Sequence, residues 1–286
     1  MESLREIFTQ EYLNELDTVY FKLYRKSGGG FSGNRRSKSK GSSVEFSDFR
    51  SYNKGDDIRR IDWNLYARLS RLFVRVFEEE KQAVINLFID ISKSMDFGEP
   101  NKFLYSKTLA ASIAYICLKV SDRVNLYTFD GALYRQFNGV SSSKSLSSVI
   151  EYLDGLKVCG ASDINKAFES ADKMVTRGIS VMLSDFLDSS GYERALNALA
   201  EGSDYAYAVQ ILAPSEINPE ISGPVKLVDS ESLKPLDLEI DNDAVSSYKK
   251  VLLEYTNELM IICGKKRIHF TRMDTSRGFM EWLKEF

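Results

Sequence analysis

Three stretches of this chain place oxygen-bearing side chains where a strand should give way to a loop. Val84 to Ile91 is an apolar, β-branched run, and Asp90, Ser92 and Ser94 stand at its end. A second stretch reads Cys159-Gly160-Ala161-Ser162-Asp163, just ahead of a helical segment. The third, Val181-Met182-Leu183-Ser184, ends in Asp185. Carboxylates and hydroxyls of this kind suit a hard divalent cation. Magnesium takes oxygen ligands in near-octahedral geometry at about 2.1 Å and gives up its waters reluctantly. Two hydroxyls, one or two carboxylates and a few waters meet that demand and leave the ion incompletely neutralised. A carboxylate from another protein can then replace a water, so that the ion bridges two molecules. Two other chemistries compete. Asp or Ser after a strand often caps the next helix. A strand-end Asp can also be the nucleophile of magnesium-dependent phosphoryl transfer. Such sites commonly carry a second acid two residues on; here that position is Ser92, a poor acid or base near neutral pH.

These loops need a scaffold that brings them to one rim. From Ala83 onward the pattern alternates between strand and helix. Strands are predicted at Val84 to Ile91, Arg123 to Phe129, Ala132 to Phe137, Ile179 to Phe186, Tyr205 to Leu212 and Ile268 to Met273. Helices are predicted at Phe103 to Val120, Ser145 to Leu156, Ile164 to Val175, Tyr192 to Ala200 and Ala244 to Cys263, the last ended by Gly264 as a C-cap. A short final helix is predicted from Arg277 to Phe286, and short strands at Val225 to Asp229 and Pro235 to Ile240. The alternation implies an α/β fold, a mostly parallel sheet with helices on both faces. Ligands of such sheets sit beyond the carboxyl ends of the strands, where the three loops fall. Upstream, residues 3 to 25 form an amphipathic helix by their three- and four-residue apolar spacing. A Gly/Ser/basic tract follows from Ser27 to Gly41, and then a segment dense in arginines and aromatics that ends in a strand at Leu72 to Glu78. The expected division is residues 1–82, with the N-terminal helix and a small β-containing extension, and residues 83–286, the α/β domain.

Composition removes several classes. The 286 residues carry a net charge of −3, which offers no basic field for nucleic acid. Three cysteines, Cys117, Cys159 and Cys263, form no Cys-x-x-Cys pair, so a reducing compartment is expected. A single histidine, His269, rules out a two-histidine metal site, and no Gly-x-Ser-x-Gly elbow accompanies it. No Gly-x-x-x-x-Gly-Lys-Ser/Thr loop is present, so ATP hydrolysis by that route is not expected. With no secretory signal and no run of about 18 apolar residues, a soluble, cytoplasmic protein without a membrane span is expected.

Taken together, Asp90-x-Ser92-x-Ser94, Ser162 in its Gly-Ala-Ser-Asp loop, and Asp185 resemble the metal-ion-dependent adhesion site of von Willebrand factor A domains. The resemblance implies a von Willebrand factor A-like (Rossmann-like) fold and a metal held by Asp90, Ser92, Ser94, Ser162 and Asp185. Serine stands at 162 where that family usually has threonine; Asp163 ranks below Ser162 as a ligand. Mg2+ or Mn2+ is the implied ion. The stretch Arg50-Ser51-Tyr52-Asn53-Lys54-Gly55-Asp56-Asp57-Ile58-Arg59-Arg60-Ile61-Asp62-Trp63, followed by Ala67-Arg68 and Val74-Arg75-Val76-Phe77-Glu78, resembles the signature of the bacterial domain-of-unknown-function 58 family. Members of that family are typically paired with MoxR-type AAA+ ATPases. The resemblance therefore implies a binding adaptor, not an enzyme, that engages an acidic residue of a MoxR-type ATPase or of its client. In the signature, Asp62 and Trp63 are expected to be structural, whereas Arg59 and Arg60 are candidates for partner contact. A magnesium-dependent phosphoryl-transfer enzyme and a structural protein with a vestigial metal site are the competing readings.

Overall fold

The computed structural model describes residues 3–26, 36–37, 44–80, 82–160, 163–169, 175–228, 235–278 and 280. They fall into two compact units, one of residues 1–20 with 83–286 and the other of residues 21–82.

The chain opens with two helices, α1 (Leu4–Ile7) and α2 (Gln10–Lys26), where apolar spacing predicts one; the large unit takes α1 and α2 as far as Tyr20. Thr9 interrupts them, and its hydroxyl accepts from the Tyr12 amide. Ser3 and Glu6 form a reciprocal capping box on α1. Leu4 and Leu16 are fully buried in the core of this unit. Leu4 and Leu16 therefore tie the N-terminal helices into the core of the α/β domain.

The small unit holds α3 (Trp63–Leu69) and three antiparallel strands, β1 (Arg36–Ser37), β2 (Val44–Ser51) and β3 (Phe73–Glu80), ordered β1-β3-β2.

The large unit continues with β4 (Val84–Asp90), α4 (Lys102–Lys119), β5 (Arg123–Phe129), β6 (Leu133–Val140), α5 (Leu146–Gly155), α6 (Ile164–Ala167) and β7 (Ile179–Ser184). Then follow α7 (Glu193–Glu201), β8 (Tyr205–Leu212), α8 (Pro214–Ile217), β9 (Gly223–Val228), β10 (Pro235–Ile240), α9 (Asn242–Lys265) and β11 (Ile268–Asp274). β9 and β10 pair as a separate antiparallel hairpin. The other six strands form one sheet in the order β11-β8-β7-β4-β5-β6. All its pairings are parallel except β5 with β6. A turn as short as Asp130 to Ala132 cannot support a crossover, so the chain must return antiparallel. The mostly parallel sheet expected from the alternating pattern is the one observed.

The strand pleat divides the core. Ile85, Leu87 and Ile89 of β4 face one apolar layer with Leu109, Ala110 and Ala114 of α4 and Val149 and Leu153 of α5. Phe88 faces the other, with Leu196 of α7 and Leu259 and Cys263 of α9. Helices therefore cover both faces. Counted along the chain, the strands of the large sheet lie in the order 3-2-1-4-5-6. The chain reverses its winding between β4 and β7, the crevice where doubly wound folds bind ligands.

Two helix boundaries depart from expectation. Gly264 lies inside α9, which runs on to Lys265, and Arg267 takes the left-handed turn with φ +59°. α6 spans four residues in place of the predicted Ile164 to Val175, and residues 170–174 lie outside the described set. Most of the final helix predicted from Arg277 also lies outside it.

Gly178 shows how tightly β7 meets β4. A Cβ there would stand 2.2 Å from the Val84 carbonyl oxygen, whereas one at Gly131 would meet nothing within 4 Å. Gly178→Ala is expected to cost about 1–3 kcal/mol and Gly131→Ala no more than about 0.5 kcal/mol, as read by urea unfolding of each variant.

Candidate functional site

β4 ends at Asp90 and β7 at Ser184, side by side across the switch point. Asp90 is wholly buried. Its Oδ1 accepts from the Ser92 amide at 2.9 Å and its Oδ2 from the Ser184 hydroxyl at 2.6 Å. Burial, and secondarily the charge of Asp185, push the Asp90 carboxyl up to about 7. Ser92 is also fully buried, and its hydroxyl does not cap the short 3-10 turn Lys93–Met95 that follows. It lies 3.0 Å from the Ser94 hydroxyl. The competing capping role is thus absent at Ser92, and two hydroxyls meet beside a buried carboxylate. Ser94 is half-buried and is the most open of these groups.

Asp185 follows β7 and is 2% exposed. Its Oδ1 accepts from the Leu187 amide at 3.0 Å and its Oδ2 from Lys102 Nζ at 2.8 Å. The next residue, Phe186, is left-handed at φ +56°, a conformation costing a non-glycine residue roughly 1–2 kcal/mol. Three contacts hold it there. Its amide donates to Ser184 Oγ, the Tyr255 hydroxyl donates to its carbonyl, and its ring is buried beside Tyr192. Ser184 therefore ties the two rim loops together, donating to Asp90 and accepting from Phe186. Its place one residue before Asp185 was the only sequence signal for that role.

Lys102, the first residue of α4, and Glu216 of α8 were not legible as site residues. Lys102 is 1% exposed, and its ammonium also donates to Glu216 Oε1 at 2.6 Å. Burial alone would lower the Lys102 pKa, but the charges of Asp185 and Glu216 outweigh it and the net shift is upward. Burial raises the Glu216 carboxyl despite its lysine partner.

The middle loop is only partly described. Ser162 lies outside the described residues. Asp163 caps α6, accepting from the Lys166 amide at 2.9 Å, and Ser190 Oγ donates to it at 3.3 Å. The capping explanation therefore accounts for Asp163. The loop reaches the rim through the Cys159 amide, which donates to the Ile91 carbonyl at 2.7 Å. Asp130, beyond β5, lies beside it: Cys159 Sγ donates to Asp130 Oδ2 at 3.6 Å. Of the cysteines, Cys263 is buried, Cys117 is half-buried and Cys159 is exposed. The His269 ring stacks on Tyr207 at 5.0 Å between centroids.

Among the described residues no three acid, histidine or cysteine side chains cluster as a metal site. A cation at this rim must therefore draw on hydroxyl oxygen. The donors suit a hard ion: two buried carboxylates and two adjacent serine hydroxyls, all of them oxygen. Asp90, Ser92, Ser94 and Asp185 are the residues that would hold it.

In the small unit the signature segment is a web of ion pairs. Arg50 grips both oxygens of Asp56, at 2.6 and 2.7 Å. This pairing holds the Asp56 carboxyl down at about 2. Asp62 caps α3, accepting from the Asn64 and Leu65 amides, and pairs with Arg75. The structural role expected of Asp62 is observed. Trp63 differs: it is 61% exposed and meets Tyr66 edge-on at 6.1 Å. Arg59, Arg60, Ile61, Trp63, Asn64 and Arg75 line a cleft of about 290 Å3.

The model of the family described as "Protein of unknown function DUF58" matches residues 48–254. The chain belongs to this family. Similar proteins include the uncharacterized protein Rv1480 of Mycobacterium tuberculosis and the uncharacterized protein Mb1516 of Mycobacterium bovis. Each is 25% identical over 232 residues, covering 79% of this chain and 73% of the relative. Among solved structures, this DUF58 chain is similar to the conserved hypothetical protein BatB from Bacteroides thetaiotaomicron, with TM-score 0.44, 14% identity and coverage of 71% and 94% of the two chains. It is also similar to a von Willebrand factor type A protein from Catenulispora acidiphila, with TM-score 0.36, 15% identity and coverage of 47% and 34%. No helix among the described residues is long and apolar enough to cross a membrane.

Asp62→Ala is expected to speed amide exchange across Trp63–Leu69, because the Asn64 and Leu65 amides lose their acceptor. Asp62→Asn, which keeps a capping oxygen, should stay close to wild type, as followed by hydrogen-exchange mass spectrometry.

Proposed function

We propose that this DUF58 protein is a divalent-ion-dependent protein-binding module and that its rim site engages a partner instead of turning over a substrate. One observation carries the reading. Asp90 and Asp185 are buried next to each other at the switch point, with the paired hydroxyls of Ser92 and Ser94 beside them. Such an all-oxygen set of four donors suits Mg2+ or Mn2+ and leaves octahedral positions for exchangeable water, and Ser94 marks the side open to solvent. Ser162 is the proposed further ligand, from the loop that Cys159 ties to Ile91. An acidic residue of the partner would complete the coordination. Phe97 and Leu187, 48% and 38% exposed on the rim loops, offer apolar contact around it. The proposed partner is a MoxR-type AAA+ ATPase or its client, with ATP-driven work left to the ATPase and chaperone-like assembly or remodelling of the client as the outcome. A reducing, cytoplasmic setting is part of the same proposal. Ser92, two residues after Asp90, cannot serve as the second acid of phosphoryl transfer, so no magnesium-dependent hydrolysis of an aryl phosphate is expected.

The test is capture from the native lysate in magnesium, in EDTA and with Asp90→Ala, together with Mn2+ titration of the purified chain. Wild type in magnesium should retain the ATPase or client, and EDTA and Asp90→Ala should each abolish capture. Asp90→Ala should weaken Mn2+ by more than about 100-fold, beyond the loss typical of an outer-shell partner. Capture indifferent to both metal and Asp90 would overturn the ion-bridged reading.

A second reading has its own observation. Arg59 and Arg60 flank the exposed Trp63 in the cleft of the small unit, and arginine and tryptophan dominate the energetics of protein interfaces. If the partner docks there, the double substitution Arg59→Glu and Arg60→Glu abolishes capture while Mn2+ affinity stays at the wild-type value.

A further inference from the structure

Lysine is almost never fully buried unless it is paired, and Lys102 is buried at the one place where a second cation is proposed to bind. Its ammonium is fixed from two sides, by Asp185 Oδ2 at 2.8 Å and by Glu216 Oε1 at 2.6 Å. The remaining Asp185 oxygen accepts from the Leu187 amide, and the remaining Glu216 oxygen from the Ala213 amide at 2.8 Å. All four carboxylate oxygens are engaged. The ammonium cannot swing away without stranding the buried Asp185 carboxylate and the mostly buried Glu216 carboxylate, so it is a built part of the site and not a mobile surface charge.

We propose that Lys102 is an internal counter-cation that competes with the divalent ion for Asp185, so that the Lys102–Glu216 balance sets the affinity of the rim site. This inference rests on the ion site proposed above. The two residues act with opposite sign. Lys102 places a positive charge in hydrogen-bond contact with Asp185 and repels an incoming cation. Glu216 shares the ammonium and draws part of its charge away. In a water-poor rim neither effect is screened as it would be at the surface. Because Asp90, Ser92 and Ser94 are not hydrogen-bonded to Lys102 in the structure, they remain the groups through which an ion first engages. Asp185 is the position at which lysine and ion exclude each other.

The experiment is calorimetric titration of the full chain with MnCl2 alone, checked by electron paramagnetic resonance of free Mn2+. It compares wild type, Lys102→Met, Glu216→Gln and the double variant. Lys102→Met should tighten Mn2+ by at least about 10-fold, from removal of one neighbouring like charge. Glu216→Gln should weaken it several-fold, and the double variant should lie between wild type and Lys102→Met. A purely structural role for the pair moves both single variants toward weaker binding. If wild type binds and Lys102→Met binds equally or more weakly, the counter-cation role is overturned while the ion site stands. If none of the four proteins binds Mn2+, both readings fall. Binding by Lys102→Met where wild type is silent supports the proposal. Should Lys102→Met fail to fold, the double variant, which strands no charge between positions 102 and 216, decides the matter. Affinity above wild type supports the proposal, and affinity at or below it overturns it.

Discussion

A carboxylate taken out of water must find donors or a cation, and this requirement organises the whole rim. Asp90 and Asp185 leave adjacent parallel strands in the same direction, so the sheet itself forces two like charges toward each other. Asp90 is satisfied by a backbone amide and the Ser184 hydroxyl, Asp185 by a backbone amide and Lys102. Removing either set of partners would leave a charge in a region where even one unpaired ion costs several kcal/mol. The rim is consequently stiff. A left-handed phenylalanine, a tyrosine reaching from α9 and a lysine from the first turn of α4 all serve to hold a few oxygen atoms in place.

The strand order explains why these oxygens come together. Loops after β4 and β7 diverge to opposite faces of the sheet at the switch point and leave a crevice between them. Ser184 spans that crevice, and Gln210 of β8 supports it from beneath by donating to the Asp185 carbonyl at 3.1 Å. Ser92 and Ser94 stand at its mouth, where burial grades from complete at Ser92 to partial at Ser94. The crevice is polar inside and carries apolar side chains, Phe97 and Leu187, on its lip.

The small unit follows a different economy. Its charges are spent on its own folding, with Arg50 on Asp56 and Arg75 on Asp62. Trp63 is left outside the web, next to Arg59 and Arg60. A large aromatic ring held in water by a short helix gains little stability from its position.

Chain periodicity by itself determined much of this protein. β5 and β8 fall where alternation and β-branched content place them, and the loops carrying Asp90 and Asp185 follow strands as predicted, because side-chain period and burial are local properties of a sequence. The signature from Arg50 to Glu78 marked the family for the same reason, being a contiguous string. Tertiary structure alone decided the rest. Lys102 and Asp185 are separated by 83 positions, and Lys102 and Glu216 by 114. Nothing in the pattern around Lys102 distinguishes it from a solvated lysine at a helix start. Likewise no local signal told whether Leu4 and Leu16 pack against the signature or against α4 and α5; the apolar stripe says only that something must cover it. Partner choice between distant side chains is set by which surfaces the fold brings into contact, and one-dimensional spacing carries no record of that.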